Sequence, residues 1–166
     1  MSELHIGSRL DGVRQRIDAW LTEFADGNEL VAAVDRGTRD DTPFGEPRWY
    51  VRMLGEEKDF TTVWLTLGQR TLRYETYVMP APEEHAAELN ELLLRRNDTL
   101  IGAHFSIGME DAVYLRGEIP DTAVTGDELD RIFGTLYTTV EANFRALLRL
   151  GFASRFGGDR PPRDST

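Results

Sequence analysis

Four residues between positions 75 and 85 carry side chains suited to acid–base or metal chemistry: Glu75, Glu83, Glu84 and His85, all within RYETYVMPAPEEHAAEL (73–89). A carboxylate held beside an imidazole can work as a general acid/base pair or supply ligands to a divalent cation. The same letters also spell an ordinary corner. A strand would end at Pro80 and a helix would start at Pro82, with two acids at the positive end of the helix dipole. The choice depends on whether the surrounding elements bring these side chains together.

Those elements can be read from periodicity. Leu10, Val13, Ile17, Trp20, Leu21 and Phe24 recur at helical spacing, with Ser8 as the expected N-cap and Gly27 as the C-cap. The segment 28–47 is irregular; LVAAV within it reads as a short strand or a helical turn, and RGTRDDTPFGEP as a loop. WYVRML, FTTVWLTL and TLRYETYVM alternate with period two and are joined by the short links GEEKD (55–59) and GQR (68–70), which predicts an antiparallel meander. A helix is expected from about Pro82 to Arg96, with Leu89, Leu92 and Leu93 inward and His85 half-buried at the edge of that stripe. AHFSI (103–107) and AVYLRGEI (112–119) form a hairpin around GMED. A last helix opens on the capping box Thr125-Gly-Asp-Glu128 and runs to Gly151. The order helix, three strands, helix, two strands, helix is α+β, with an antiparallel sheet of about five strands and three helices on one face. We expect one domain over residues 1–156 and a disordered tail over 157–166.

On this framework the opening cluster comes apart. Leu72, Tyr74, Thr76 and Val78 share one face of their strand, so Glu75 points the other way. The helix carrying Glu83, Glu84 and His85 must pack on the apolar face, so a sheet separates Glu75 from them. Glu84, Glu88 and Glu91 share a solvated helix face with Arg95. A hydrolase-type enzyme using Glu75 or Glu84 with His85 is therefore the weakest reading. His104 and Ser106 share a strand face, which is more simply a polar solvent face than a catalytic pair. A zinc site built on His5, His85 and His104 would need three distant histidines to converge, and His5 is expected in a loose terminus.

Composition narrows the classes. Twenty-nine acidic and nineteen basic residues among 166 give a formal charge of −10, which repels phosphate backbones and argues against nucleic acid. The absence of cysteine removes disulfides, thiol catalysis and Cys-ligated zinc. No apolar run approaches the roughly 20 residues of a membrane span, and the first residues lack a signal-peptide pattern, so a cytoplasmic protein with no membrane partner is expected. Neither G-x-x-x-x-G-K-[ST], G-x-G-x-x-G nor G-x-S-x-G occurs. No cofactor or metal is expected.

The order of elements, together with GEEKDFTTVWLTL, RYETYVMPAPEEHAAELNELLLRRN, FSIGMEDAVYLRGEIP and LYTTVEANFRALLRLGFASRFG, resembles the YbjN-domain family of bacterial proteins over residues 8 to 156. That resemblance implies the fold of type III secretion chaperones, which are small, acidic, usually dimeric proteins that hold extended partner segments. It also implies a regulator linked to stress or signal response. It supplies no catalytic residues, and a shared fold does not transfer a function.

Alternation assigns an outward sheet face carrying Tyr50, Arg52, Trp64, Thr66, Arg73, Glu75, Tyr77, His104, Ser106, Tyr114 and Arg116. Aromatic and arginine side chains join apolar area to directional hydrogen bonds, and they dominate interface hot spots. Tyr50, Arg52, Trp64, Arg73, Tyr77, Tyr114 and Arg116 are the expected partner-binding residues, the partner being a protein or peptide segment or a second subunit. Half-exposed aromatics are also common as plain cross-strand pairs. Which face is outward is itself open, because Trp49, Val51 and Met53 differ only moderately from Tyr50 and Arg52. The alternative function is a small-molecule sensor with a pocket between sheet and helices, lined by Phe133, Tyr137 and Phe144; plain core packing is the simpler meaning of that stripe.

Overall fold

The computed structural model describes residues 3–156 of the chain. The expected tail at 157–166 lies outside them. Four helices and six strands follow in the order α1 (Glu3–Ala25), β1 (Val31–Arg36), β2 (Arg48–Leu54), β3 (Phe60–Leu67), β4 (Thr71–Met79), α2 (Ala86–Asn97), β5 (His104–Ile107), β6 (Val113–Pro120), α3 (Gly126–Gly151) and α4 (Ala153–Phe156). All six strands pair antiparallel in one sheet, ordered β1-β2-β3-β4-β6-β5.

Most of this follows from the alternation. Trp49, Val51 and Met53, then Val63, Leu65 and Leu67, then Leu72, Tyr74 and Val78 are all buried, and their neighbours at odd offsets are not, except Met79, which follows a register shift after Tyr77 and is buried although the alternation puts it outward. The inward residues meet Val13, Ile17 and Leu21 of α1, Leu89 and Leu93 of α2, and Leu129, Ile132, Phe133, Leu136, Val140 and Leu147 of α3 in one continuous core. Each such aliphatic side chain contributes roughly 1.5–3 kcal/mol on burial. A one-residue slip in any strand would turn its whole apolar set to water, so the register is well determined.

Several expectations need correction. The sheet has six strands rather than five, because the ambiguous LVAAV segment becomes β1 and pairs with β2. Its signal is weak because an edge strand buries little: Ala32, Asp35 and Arg36 are exposed. Helix α1 starts five residues before Ser8, which lies inside the helix rather than capping it, and the backbone of His5 is helical too. Gly27 does end it, with φ of 67°. Helix α2 starts at Ala86 rather than Pro82. The capping box of α3 forms by half: Glu128 N–H donates to Thr125 Oγ1 at 3.2 Å, but the Glu128 carboxylate turns to Arg131 at 2.8 Å. A short fourth helix, α4, follows Gly151.

The two edges of the sheet differ. At β5, the side-chain amide of Asn97 donates from Nδ2 to Phe105 O at 3.1 Å and accepts Phe105 N–H at Oδ1 at 2.7 Å. That amide completes the ladder as a neighbouring peptide would, and it closes the edge against pairing with another chain. Helix α1 contacts the far edge strand, β1.

Candidate interaction face

The four groups that first suggested chemistry are not brought together. Glu75 lies on the uncovered sheet face, where Arg73 Nε sits 3.0 Å from its Oε2. Glu83 and Glu84 precede α2 at a bend in the chain, and their N–H groups both donate to Gly151 O at 2.9 Å. They therefore do not serve the dipole of α2. Glu83 pairs with Arg155 at 3.0 Å, and Glu84 Oε1 accepts Ser154 N–H at 2.9 Å. The bonds to Ser154 hold the Glu84 carboxyl below its ordinary range. His85 is an exposed residue outside the core rather than part of the α2 stripe: its φ is +53°, and its Nδ1 stands 3.6 Å from Glu88. The chain needs that left-handed residue to turn from the Pro80–Pro82 corner into the helix. Glu75 and His85 thus stand on opposite sides of the sheet. Among the described residues, no three His, Asp or Glu side chains converge to hold a metal ion.

In the aromatic stripe of α3, Phe133 and Tyr137 are engaged by packing and hydrogen bonding, while Phe144 lines a groove of about 190 Å³ with Glu57, Leu148 and Phe156. Phe133 lies 5.4 Å from Trp20 and 5.1 Å from Phe24, ring to ring. Tyr137 donates its hydroxyl to Leu54 O at 3.0 Å. Phe144 lies beneath the ammonium of Lys58. A groove of about 700 Å³ does open between α1 and β1, lined by Leu21, Thr22, Val34, Arg36 and Trp49 with the acids Asp18, Glu23 and Asp26.

The uncovered sheet face is the larger feature. The strand registers set its side chains in rows. One row runs Asp35, Tyr50, Trp64, Glu75, Arg116, His104 across all six strands. The adjacent row carries Arg52 and Thr62 at one end and Tyr77, Tyr114 and Ser106 at the other. A third carries Arg48, Thr66, Arg73 and Glu118. All seven expected residues, Tyr50, Arg52, Trp64, Arg73, Tyr77, Tyr114 and Arg116, stand on this side, and none belongs to the core.

Trp64, Tyr114 and Tyr77 form a continuous aromatic run. Trp64 and Tyr114 are 6.2 Å apart, and Tyr77 meets Tyr114 edge-on at 5.6 Å. Such pairs add about 0.5–1.5 kcal/mol beyond burial. They also hold the rings as a fixed surface. Burial, Tyr114 and Glu110 together push the Tyr77 phenol above its ordinary pKa. Cations cap the run. The Arg116 guanidinium lies 5.1 Å from the Tyr114 ring, Lys58 Nζ lies 5.4 Å from Tyr77, and Arg52 lies 3.6 Å from the exposed ring of Phe60.

Sequence reasoning missed how this face is tied to the helical layer. The β2–β3 turn, Gly55 to Asp59, points its N–H groups at Glu141 of α3. Glu56 and Glu57 donate to Glu141 Oε2 at 3.0 and 2.9 Å, and Lys58 N–H to Oε1 at 3.4 Å. A Cβ on Gly55 would collide with Lys58 O and the Glu141 carboxylate, so glycine is required there. The turn in turn places Lys58, whose ammonium donates to Tyr77 O at 2.7 Å. Burial depresses the Lys58 pKa, with Glu141 opposing the shift. The only visible signals were the glycine opening GEEKD and the single lysine of the chain.

Comparisons with known proteins agree with this architecture. A sequence model of the YbjN family, described as "Putative bacterial sensory transduction regulator", matches residues 15–149. An uncharacterized protein of Mycobacterium tuberculosis (strain ATCC 25618 / H37Rv) is 35% identical over 108 residues, covering 65% of this chain and 59% of its own. One from Mycobacterium leprae (strain TN) is 32% identical over 112 residues, covering 68% of this chain and 61% of its own. The chain thus spans about 60% of the length of these curated relatives. Among solved structures, a chain of the heterodimeric ExoU-SpcU complex from the type III secretion system of Pseudomonas aeruginosa superposes with a TM-score of 0.52 at 16% identity, covering 79% of this chain and 96% of that one. That likeness is one of fold, and it is the type III secretion chaperone-like fold expected from the sequence. With most of its length matched by the family model and its α+β framework in place, the chain belongs to the YbjN family.

Proposed function

We propose that this protein is a non-enzymatic binding module that holds a segment of a protein partner against its uncovered sheet face. The observation that carries the reading is the aromatic run Trp64–Tyr114–Tyr77, fixed on a face that no helix covers and flanked by guanidinium groups. Rigid aromatic area beside arginine is the composition of an interface core. The superposed chain comes from a heterodimeric complex, which is compatible with a partner of this kind. No helix among the described residues is long and apolar enough to cross a membrane, and the role fits a cytoplasmic regulator or a chaperone-like holder. The separation of Glu75 from His85, with the Glu84 carboxylate taken up by Ser154 N–H, supports this reading over a hydrolase using Glu75 or Glu84 with His85.

The test is site-specific photocrosslinking in cells. A photoreactive phenylalanine replaces Tyr77 on the open face or Leu94, which is 71% exposed on α2. Adducts from position 77 that outnumber those from position 94, and that vanish with Trp64→Ser while the fold is retained by circular dichroism, are expected. Adducts arising equally from both positions, or only from 94, would overturn the proposal.

A further inference from the structure

We infer that the segment bound on the open face is acidic: an extended stretch with two carboxylates about five residues apart and apolar side chains between them. This inference rests on the reading above and names the chemistry of the partner. The argument begins from unpaired charge. The chain carries 29 acids against 19 bases, and many arginines pair with a carboxylate, as Arg9, Arg14, Arg36, Arg73, Arg95 and Arg131 do. Arg52 and Arg116 do not. Among the described residues, neither has a carboxylate partner; each lies against an aromatic ring, and the shielded Nε of Arg116 makes no hydrogen bond. Both guanidiniums are thus held in place by ring contacts, with donors still to satisfy.

Their spacing sets the rest. The registers put Arg52 on β2 and Arg116 on β6, three strand intervals apart and offset by two residues. At about 4.8 Å per strand and 3.4 Å per residue, the separation is roughly 16 Å, which an extended chain spans in about five residues. The line between them runs between Thr62 and Trp64 on β3 and between Glu75 and Tyr77 on β4, and it crosses the Trp64–Tyr114 ring pair. Glu75 lies beside that line and is held by Arg73, so a charge at the middle of the segment meets a carboxylate, whereas apolar groups meet rings. The strand rows of the face carry four guanidiniums (Arg48, Arg52, Arg73, Arg116) against three carboxylates (Asp35, Glu75, Glu118), with Asp41 bonded to the Tyr50 hydroxyl and Glu110 near Tyr77 at the rim, in a chain of formal charge −10. The rows are therefore less acidic than the chain as a whole. A phosphodiester chain, charged at every residue, would be repelled by the rest of the molecule.

The experiment is fluorescence anisotropy on the whole chain with three labelled dodecapeptides. Each has Leu-Val-Phe-Leu at its centre, flanked at positions four and nine by Glu, Gln or Lys. The Glu peptide should bind most tightly, with the Gln form weaker by about tenfold, the size expected for two partly desolvated charge pairs. Arg52→Gln and Arg116→Gln should each remove part of that preference, while Arg95→Gln on α2 should leave it intact. Added salt should reduce it. Equal affinity for the Glu and Gln peptides, or a preference that survives both face variants, overturns the inference. If binding still depends on Trp64 in that case, the protein-binding face stands and only its charge preference fails. Binding that depends on neither Trp64 nor Tyr77 defeats both. Stronger competition by a single-stranded oligonucleotide than by the Glu peptide, or a dimer that dissociates on Arg52→Gln, would identify the occupant as nucleic acid or a second copy and overturn the assignment.

Discussion

Glu141 offers the sharpest test of how this molecule is assembled. Its carboxylate accepts three backbone N–H groups from the β2–β3 turn. A hydrogen bond to a charged acceptor contributes about 1.5–3 kcal/mol where it is shielded, and less where water can replace the acceptor. Glu56 and Glu57 are exposed while Lys58 is half-buried, so two of the three donors regain water when the carboxylate is removed. The Lys58 bond, at 3.4 Å, is also the longest. Counting roughly 1 kcal/mol for each of the two short bonds and little for the third, Glu141→Ala should cost about 2 kcal/mol. For a domain of this size, that corresponds to a fall in Tm of roughly 4–8 °C. Glu141→Gln keeps one acceptor oxygen and should lose about half as much. Urea unfolding of the three proteins checks the values. The variant should also free Lys58 from its place over Tyr77, visible as altered tyrosine fluorescence at constant secondary structure. An alanine variant within 0.5 kcal/mol of the parent, with unchanged tyrosine emission, would refute the argument that this carboxylate ties the sheet face to the helices.

Two further outcomes follow from single contacts. Asn97→Ala removes both bonds to Phe105 and leaves an open strand edge; a loss of about 1–3 kcal/mol is expected, along with concentration-dependent self-association in sedimentation experiments, whereas a monomer of unchanged stability would show that the edge needs no cover. The Glu84 carboxyl is held below its ordinary range by Ser154. A depressed folded pKa gives stability that is complete above the unfolded value, near 4.5, and is lost as pH falls through the lower folded value, so Glu84→Gln should flatten the pH dependence of unfolding in that acid window and leave it unaltered at neutral pH.

Much of this architecture was legible in the sequence, because it depends on local rules. Period-two alternation in WYVRML, FTTVWLTL and TLRYETYVM sorted the residues into two faces, Met79 excepted, and the long stripe from Leu129 to Leu148 marked the helix that covers one of them. The same alternation put Tyr50, Arg52, Trp64, Arg73, Tyr77, Tyr114 and Arg116 on one side, and it separated Glu75 from His85. Whether that side would be the open one was decided by helices α1, α2 and α3 packing together on the other. What the local rules could not supply were contacts between residues far apart in the chain. Glu141 meets a turn more than eighty positions earlier, and Glu83 and Glu84 leave the helix they precede to hold the chain beyond Gly151. Asn97 completes the edge of a strand, and β1 forms only because β2 is there to pair with it. Acids near a helix start read equally well as dipole partners or as clamps on a distant segment. A carboxylate satisfies either set of N–H groups, and only the three-dimensional path of the chain determines which set comes within reach.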